Sequence, residues 1–209
     1  MIENAIEFYY KTSVLKDALR SGPVQWRVER EIKETIASHI YGTLMIAIGL
    51  YSEIKPNLNF SKVLLMLAIH ETEEVLIGDI TPLDKLKKSQ ISKISEEAVE
   101  KIFSILADGQ KYVDIIKEYN KHKTMESHFA KACDKLECVL EFKKYCDAGQ
   151  TSLEKVTPEM LNHPLLKKFY DEGKYSLDDI FYIYHMKAFE DLGFTEKLWF
   201  DHIKKMKSY

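Results

Sequence analysis

Apolar residues recur at intervals of three and four along almost the whole chain. Such intervals place side chains on one face of an α-helix, whereas a half-buried strand needs strict alternation of apolar and polar residues. That alternation is scarce here, and glycine (8) and proline (5) are sparse among the 209 residues. The pattern therefore predicts an all-α protein.

The first third of the chain divides into three predicted helices. The first is expected over residues 3–20, where the following SGP sequence stops it. The second is expected over 33–52. The third begins at Ser61, a candidate N-cap, carries the apolar run VLLMLAI and ends at Gly78, because glycine commonly terminates helices.

Capping residues indicate where the later helices begin. The lysine-rich stretch LDKLKKSQISKISE is expected to be a loop or a solvated helix face, with Ser95 capping the next helix. A long helix is expected over 125–145. Thr157 followed by Pro158, and Ser176 followed by two acids, predict the starts of two or three short C-terminal helices.

Composition limits the domain organisation and the partners. With 45% hydrophobic and 30% charged residues, the chain suits a helical core over 1–150 and a C-terminal helical extension over 151–209, packed on the same domain. The net charge of -3 argues against binding to a nucleic-acid polymer or an anionic membrane. No signal peptide or membrane span is evident, so we expect a cytoplasmic protein whose three cysteines are reduced and structural.

The segment HETEEVLIGDITP, residues 70–82, places a histidine and several acids directly after an apolar run. On a helix His70 and Glu71 are about 100° apart, and Glu74 lies one turn further along the same face. Burying these groups is costly unless a divalent cation compensates them; alternatively, the helix emerges into solvent here. His39, inside another apolar helix, is either a core residue or a further ligand.

Four stretches in a particular order carry a family resemblance: LKDALRSG, ETIASHIYG, HETEEVLIGDITP and FAKACDKLECVL. In them the chain resembles the HD-domain metal-dependent phosphohydrolases, and more narrowly the bacterial 5′-deoxynucleotidases. The third stretch is the most specific of the four. The resemblance implies an HD-domain helical bundle with extra C-terminal helices, built around one divalent metal ion, and a homodimer.

The resemblance also assigns roles to individual residues. Four residues would bind the metal ion: His39, His70, Glu71 and Asp134. Glu74 would be the catalytic acid–base residue, Asp79 would contact the substrate sugar, and Arg20 would bind the phosphate. An arginine at a helix C-terminus also interacts favourably with the helix dipole, which is an alternative role for Arg20. Glu73 is expected to be an ordinary solvated neighbour.

Histidine nitrogens and carboxylate oxygens suit a transition metal such as Mn, Co, Fe, Ni or Zn, and leave positions open for water and a phosphate oxygen. One feature departs from the family pattern, since the second residue of the His-Asp dyad is Glu71 here. Its carboxylate lies one methylene, roughly 1.5 Å, further from the backbone. The change alters metal preference, weakens metal binding, or marks a relative that has lost hydrolysis and keeps only the binding pocket.

The leading hypothesis is an enzyme, a metal-dependent phosphohydrolase that removes phosphate from (deoxy)nucleoside 5′-monophosphates or related small phosphate esters. The alternative is a non-catalytic HD-fold protein that binds a nucleotide or signals through a partner. A third hypothesis, a purely structural helical dimer, rests only on the C-terminal aromatic residues.

Overall fold

The computed structural model describes residues 2–81, 87–156 and 158–208. Its α-helices in chain order are α1 (Ile2–Thr12), α2 (Ser21–Gln25), α3 (Ile36–Ile54), α4 (Phe60–Ile69), α5 (Glu74–Ile77), α6 (Lys88–Phe103), α7 (Gly109–Lys121), α8 (Met125–Asp147), α9 (Pro158–Leu161), α10 (Pro164–Glu172), α11 (Leu177–Met186) and α12 (Glu196–Asp201). Short 3-10 helices cover Ser13–Lys16, Lys187–Leu192 and Ile203–Lys205.

The described residues contain no β-strand, and their one isolated bridge joins Leu19 to Thr35. The predicted all-α class is therefore confirmed. None of the helices in the described ranges is both long enough and apolar enough to cross a membrane.

Chain contacts define two compact units. The first comprises Met1–Ser21 and Glu34–Asp134, and the second comprises Gly22–Lys33 and Lys135–Tyr209. The predicted division into a core over 1–150 and an extension over 151–209 stays a prediction.

The first unit is built around α4 and α7. In it α3 packs on α4, α4 on α7, and α6 on α7. One core cluster contains Val99, Phe103, Val113 and Ile116, all nearly inaccessible to solvent. Gly109, the first residue of α7, allows a close approach there, because a Cβ atom at this position would collide with the Phe103 carbonyl. The helix α7 had no predicted counterpart in the sequence.

The first helix ends earlier than its sequence pattern indicates. α1 stops at Thr12, so the helix predicted over 3–20 is too long. The Thr12 hydroxyl donates to Phe8 O (2.9 Å) and the Ser13 hydroxyl donates to Tyr10 O (2.8 Å). Hydroxyls that bind the carbonyls of a last turn compete with continuation of the helix.

Several predicted helix starts are also displaced. The SGP segment begins α2, with Pro23 in its first turn, where the missing N–H is not needed. Asn59, not Ser61, caps α4, and its side chain accepts from Lys62 N at 3.1 Å. Ser95 lies inside α6, because the apolar pattern of that helix extends further toward its N-terminus than the predicted cap.

The remaining predicted helices are close to the observed ones. α3 covers most of 33–52, and α8 covers all of 125–145. α9 begins at Pro158 as predicted, while its expected cap Thr157 lies outside the described residues. The predicted capping box at Ser176 is confirmed at the start of α11. The described C-terminal residues form four short α-helices, α9 to α12, which is more than the two or three predicted.

The second unit has an aromatic core. The rings of Phe142 and Phe181 stack with centroids 3.7 Å apart, and the Trp26 ring meets Phe181 edge-on at 4.7 Å. Tyr182 stacks on Trp199, which is completely buried. The C-terminal aromatic residues therefore form a core, which is the packing role that their helical spacing indicates.

Asp179 joins the start of α11 to the C-terminal residues of the second unit. Its Oδ1 accepts from Trp199 Nε1 (2.7 Å) and Lys204 Nζ (2.5 Å), and its Oδ2 accepts from Ser176 N (2.9 Å). Burial acts to raise the pKa of Asp179, but the hydrogen bonds from Lys204, Ser176 and Trp199 outweigh it and lower that pKa.

We expect Asp179→Asn to lower the free energy of unfolding at pH 7 by about 2 kcal/mol, because the buried carboxylate loses a charge-assisted hydrogen bond. The pKa of Asp179 is lower in the folded chain, so this stabilisation is present above the unfolded value of about 4 and is lost as the pH falls through the folded value. Urea unfolding at a series of pH values should show the free energies of unfolding of the wild type and Asp179→Asn becoming equal in acid. Asp171→Asn, at an exposed ion pair with Lys167, is the control, and an equal loss there would contradict the prediction.

Candidate metal centre

The first histidine of the site is presented by the start of α3. Thr35 caps this helix by accepting from Ser38 N (3.2 Å), and His39 then falls on its buried side with no exposed surface. Arg20 N donates to Glu34 O (3.0 Å), so the segment that carries Arg20 runs beside the start of α3. The His39 ring lies among ionisable groups and not in an apolar core, since carboxylate oxygens of Glu71 and Asp134 lie near its Nε2.

The second histidine lies at a break between two helices. α4 ends at Ile69, and α5 begins only at Glu74, so the continuous helix predicted from Ser61 to Gly78 is wrong. The His70 ring nitrogen Nδ1 lies 2.8 Å from Leu67 O, and the Thr72 hydroxyl donates to Ile69 O at 2.6 Å. These side chains bind carbonyls of the last turn of α4 and favour a turn instead of further helix.

The hydrogen bond at Nδ1 also determines which ring nitrogen of His70 is available as a metal ligand. Because Leu67 O is an acceptor, Nδ1 carries a proton, so the lone pair of the neutral ring is on Nε2. Nε2 is buried, and within the described residues no group forms a hydrogen bond with it. A buried lone pair of this kind fits a metal ligand whose other nitrogen is held by a backbone carbonyl.

Four side chains predicted to bind a metal ion converge within the first unit: His39, His70, Glu71 and Asp134. Glu71 Oε1 lies 3.3 Å from His70 Nε2 and 3.5 Å from His39 Nε2. Asp134 Oδ1, from α8, lies 3.3 Å from His39 Nε2. All four ligand atoms lie within 4.8 Å of one another.

These separations fit a shared ion. Ligand atoms that each lie about 2.1 Å from one ion are roughly 3.0 Å apart at right angles and roughly 3.4 Å apart in a tetrahedron. Three of the separations in this cluster, from 3.3 to 3.5 Å, fall close to the tetrahedral value. Glu71 Oε1 therefore lies near enough to both histidine nitrogens to share an ion with them.

The carboxyl groups of the site are crowded, and their pKa values reflect it. Burial acts to raise the pKa of Glu71, but His70, His39 and Arg20 outweigh it and hold that pKa well below its usual value. Burial and the charges of Glu71 and Asp79 raise the pKa of Glu74 to about 10. A divalent cation bound among these groups would relieve this excess of negative charge.

Glu73 lies in a more buried environment than the sequence analysis predicts. Burial and the Glu71 charge raise the pKa of Glu73 to about 8, and its Oε2 is buried with no hydrogen bond from any described residue. The expectation of an ordinary solvated neighbour is therefore wrong. Glu73 lies in the turn between α4 and α5, not in the continuous helix that the apolar pattern predicts.

Arg20 and Asp79, the two predicted substrate contacts, lie together beside Glu71. Arg20 Nη1 is 3.4 Å from Glu71 Oε1 and 3.9 Å from Asp79 Oδ2. Ser21 N donates to Asp79 Oδ2 (2.6 Å) and the Ser21 hydroxyl donates to Asp79 O (2.8 Å). Gly78, with φ 71°, ends α5 as predicted and brings Asp79 back toward this segment.

Two residues near Asp134 were not foreseen from the sequence. The Tyr119 hydroxyl donates to Asp134 Oδ2 (2.8 Å), and Lys131 Nζ lies 3.1 Å from the same oxygen. Lys131 stands one helical turn before Asp134, which is a local signal for an ion pair. Tyr119 comes from α7, a different helix, and no local pattern marks it.

Comparison with known proteins agrees with this geometry. The sequence model of the HD domain family matches residues 12–163, which is most of the chain. The chain belongs to the HD domain family. The match includes all four members of the His39, His70, Glu71 and Asp134 cluster.

Curated relatives of this HD-domain chain include two proteins named 5′-deoxynucleotidase HDDC2. The one from Dictyostelium discoideum is 28% identical, over 83% of this chain and 90% of its own length. The one from Homo sapiens is 26% identical, over 68% of each chain.

Solved structures share the fold. A protein described as a predicted metal-dependent phosphohydrolase from Magnetospirillum magnetotacticum MS-1 aligns with a TM-score of 0.63 and 18% identity, covering 93% of this chain and 94% of that one. A protein from Pyrococcus horikoshii OT3 aligns with a TM-score of 0.62 and 22% identity, covering 90% and 95%. The predicted HD-domain fold is thus confirmed.

Proposed function

We propose that this HD-domain protein is a metal-dependent phosphohydrolase that removes phosphate from deoxynucleoside 5′-monophosphates or closely related phosphate esters. The proposal rests on the convergence of two histidines and two carboxylates, whose ligand atoms all lie within 4.8 Å of one another, three pairs of them 3.3 to 3.5 Å apart. The names of the curated relatives support the substrate class.

His39, His70, Glu71 and Asp134 would hold the ion. Mixed nitrogen and oxygen ligands favour a transition metal such as Mn, Co, Fe, Ni or Zn. When bound, such an ion supplies Lewis-acid polarisation of the phosphoryl group and a more acidic water.

Arg20 is proposed to bind the substrate phosphate. Its guanidinium is held by Glu71 and Asp79 in a partly buried place, with side-chain exposure of 15%. A planar, permanently charged fork suits two phosphate oxygens. The carboxylates keep the fork in position before substrate arrives, which reduces the ordering cost of binding.

Glu74 is proposed to move the proton of the reaction. It begins α5 directly after the turn that contains Glu71, and its Oε2 is buried with no hydrogen bond from the described residues. A carboxyl group in this place can hold a proton and give it to the oxygen of the departing nucleoside. Asp79, whose Oδ2 is bound by Ser21, is proposed to accept a hydrogen bond from the 3′-hydroxyl of the sugar.

A substrate screen with purified protein tests the proposal. p-Nitrophenyl phosphate and the four deoxynucleoside 5′-monophosphates should be hydrolysed in the presence of Mn²⁺ or Co²⁺, and a chelator should stop the reaction. Activity equal to that of Glu74→Ala would contradict the proposal. Thermal stabilisation by nucleotides without any hydrolysis would favour the non-catalytic alternative instead.

A further inference from the structure

The two oxygens of Asp134 face different partners. Oδ1 faces His39 Nε2 at 3.3 Å, on the side of the proposed metal ion. Oδ2 accepts from the Tyr119 hydroxyl at 2.8 Å and lies 3.1 Å from Lys131 Nζ. Only 2% of Asp134 is exposed, so these contacts form where water competes little.

Tyr119 and Lys131 also bind each other. Lys131 Nζ donates to the Tyr119 oxygen at 2.9 Å and lies 4.2 Å from the centre of its ring. Lys131 Nζ, the Tyr119 oxygen and Asp134 Oδ2 thus form a closed triangle, and each member limits the movement of the other two. Tyr119 is 1% exposed, whereas the Lys131 side chain keeps 20% of its surface in solvent.

Tyr119 touches a second predicted ligand as well. Its ring meets the His70 ring edge-on, with centroids 5.4 Å apart. One tyrosine from α7 therefore contacts side chains that come from the end of α4 and from α8. A carboxylate whose outer oxygen is held in this way presents a single oxygen to an ion in a fixed direction.

We propose that Tyr119 and Lys131 are positioning residues that hold Asp134 by Oδ2, so that Asp134 binds the metal ion through Oδ1 alone. The inference rests on the proposed metal-dependent function. Without the Tyr119 hydroxyl, Asp134 Oδ2 loses one of these two contacts, and the direction of the carboxylate is less firmly fixed. The expected consequences are weaker metal binding and altered coordination, and neither depends on measuring catalysis.

Co²⁺ titration of chelator-treated protein tests this inference, because the visible absorption of bound Co²⁺ reports its coordination. Competition with a chromophoric chelator gives the affinity. Tyr119→Phe should bind Co²⁺ roughly 10- to 100-fold more weakly than the wild type and with a changed spectrum. The matched control is Tyr112→Phe, two turns earlier on α7, where the tyrosine stacks on Phe103. It should leave both measurements unchanged.

A second variant covers the case in which Tyr119→Phe does not fold. Lys131→Met removes the ammonium group and keeps a side chain of similar length, and its Co²⁺ spectrum should also differ from that of the wild type. Wild-type affinity and spectrum in the folded variants would overturn the positioning role alone. Failure of the wild-type protein to bind Co²⁺ would instead overturn the metal-dependent function.

Discussion

Glu74→Gln is expected to lower kcat for phosphate-ester hydrolysis by about 10²- to 10⁴-fold, the usual contribution of a positioned acid or base. The substitution keeps the size of the side chain and its ability to form hydrogen bonds, but the amide cannot transfer the proton. Glu74 is the first residue of α5 and is not a member of the His39, His70, Glu71 and Asp134 cluster, so the bound metal should remain. KM should change much less than kcat.

The matched control for this prediction is Glu97→Gln. Glu97 stands on the exposed face of α6, where its side chain is 65% exposed and pairs with Lys93. The same chemical change there should leave kcat within error of the wild-type value. Steady-state kinetics and metal analysis of the three proteins give the result. A Glu74→Gln protein that keeps metal and full activity would remove Glu74 from the proposed mechanism.

The long helices of the site could be predicted because their signals are local. α3 and α8 follow apolar patterns of helical period over many residues, and these patterns place His39 and Asp134 inside regular helices. The glycine that ends α5 is likewise a local signal, since Gly78 has a positive φ that glycine adopts easily.

The turn between α4 and α5 could not be predicted in the same way. Its cause is a pair of side-chain bonds to backbone carbonyls, from His70 to Leu67 O and from Thr72 to Ile69 O. A continuous apolar pattern gives no indication of these bonds. The same limit applies to Tyr119, because its contact with Asp134 joins two helices and depends on how they pack.

Glu71 is where this chain departs from the His-Asp dyad of its family. Glu71 Oε1 lies 3.5 Å from His39 Nε2, 3.3 Å from His70 Nε2 and 3.4 Å from Arg20 Nη1. One carboxylate thereby links the proposed metal ligands to the proposed phosphate contact. This geometry supports Glu71 as a working ligand and argues against loss of the site.

Loss of the metal ion in His70→Ala is the second large effect that we expect. His70 is held by the hydrogen bond between Nδ1 and Leu67 O, and its buried Nε2 faces the other proposed ligands. Its removal deletes one of the four proposed ligands and should weaken metal binding at least about 10-fold. Hydrolysis should fall with the metal content, whereas the helical content should stay near that of the wild type. His202→Ala, at an exposed histidine, is the control.

His39, His70, Glu71 and Asp134 are proposed to bind a metal ion even though Glu71 stands in the place of an aspartate. Elemental analysis of the purified protein, after incubation with Mn²⁺ or Co²⁺ and removal of the free ions, tests this proposal directly. We expect about one equivalent per chain in the wild type and in His202→Ala, and a large loss in His70→Ala. Less than about a tenth of an equivalent in the wild type would contradict it.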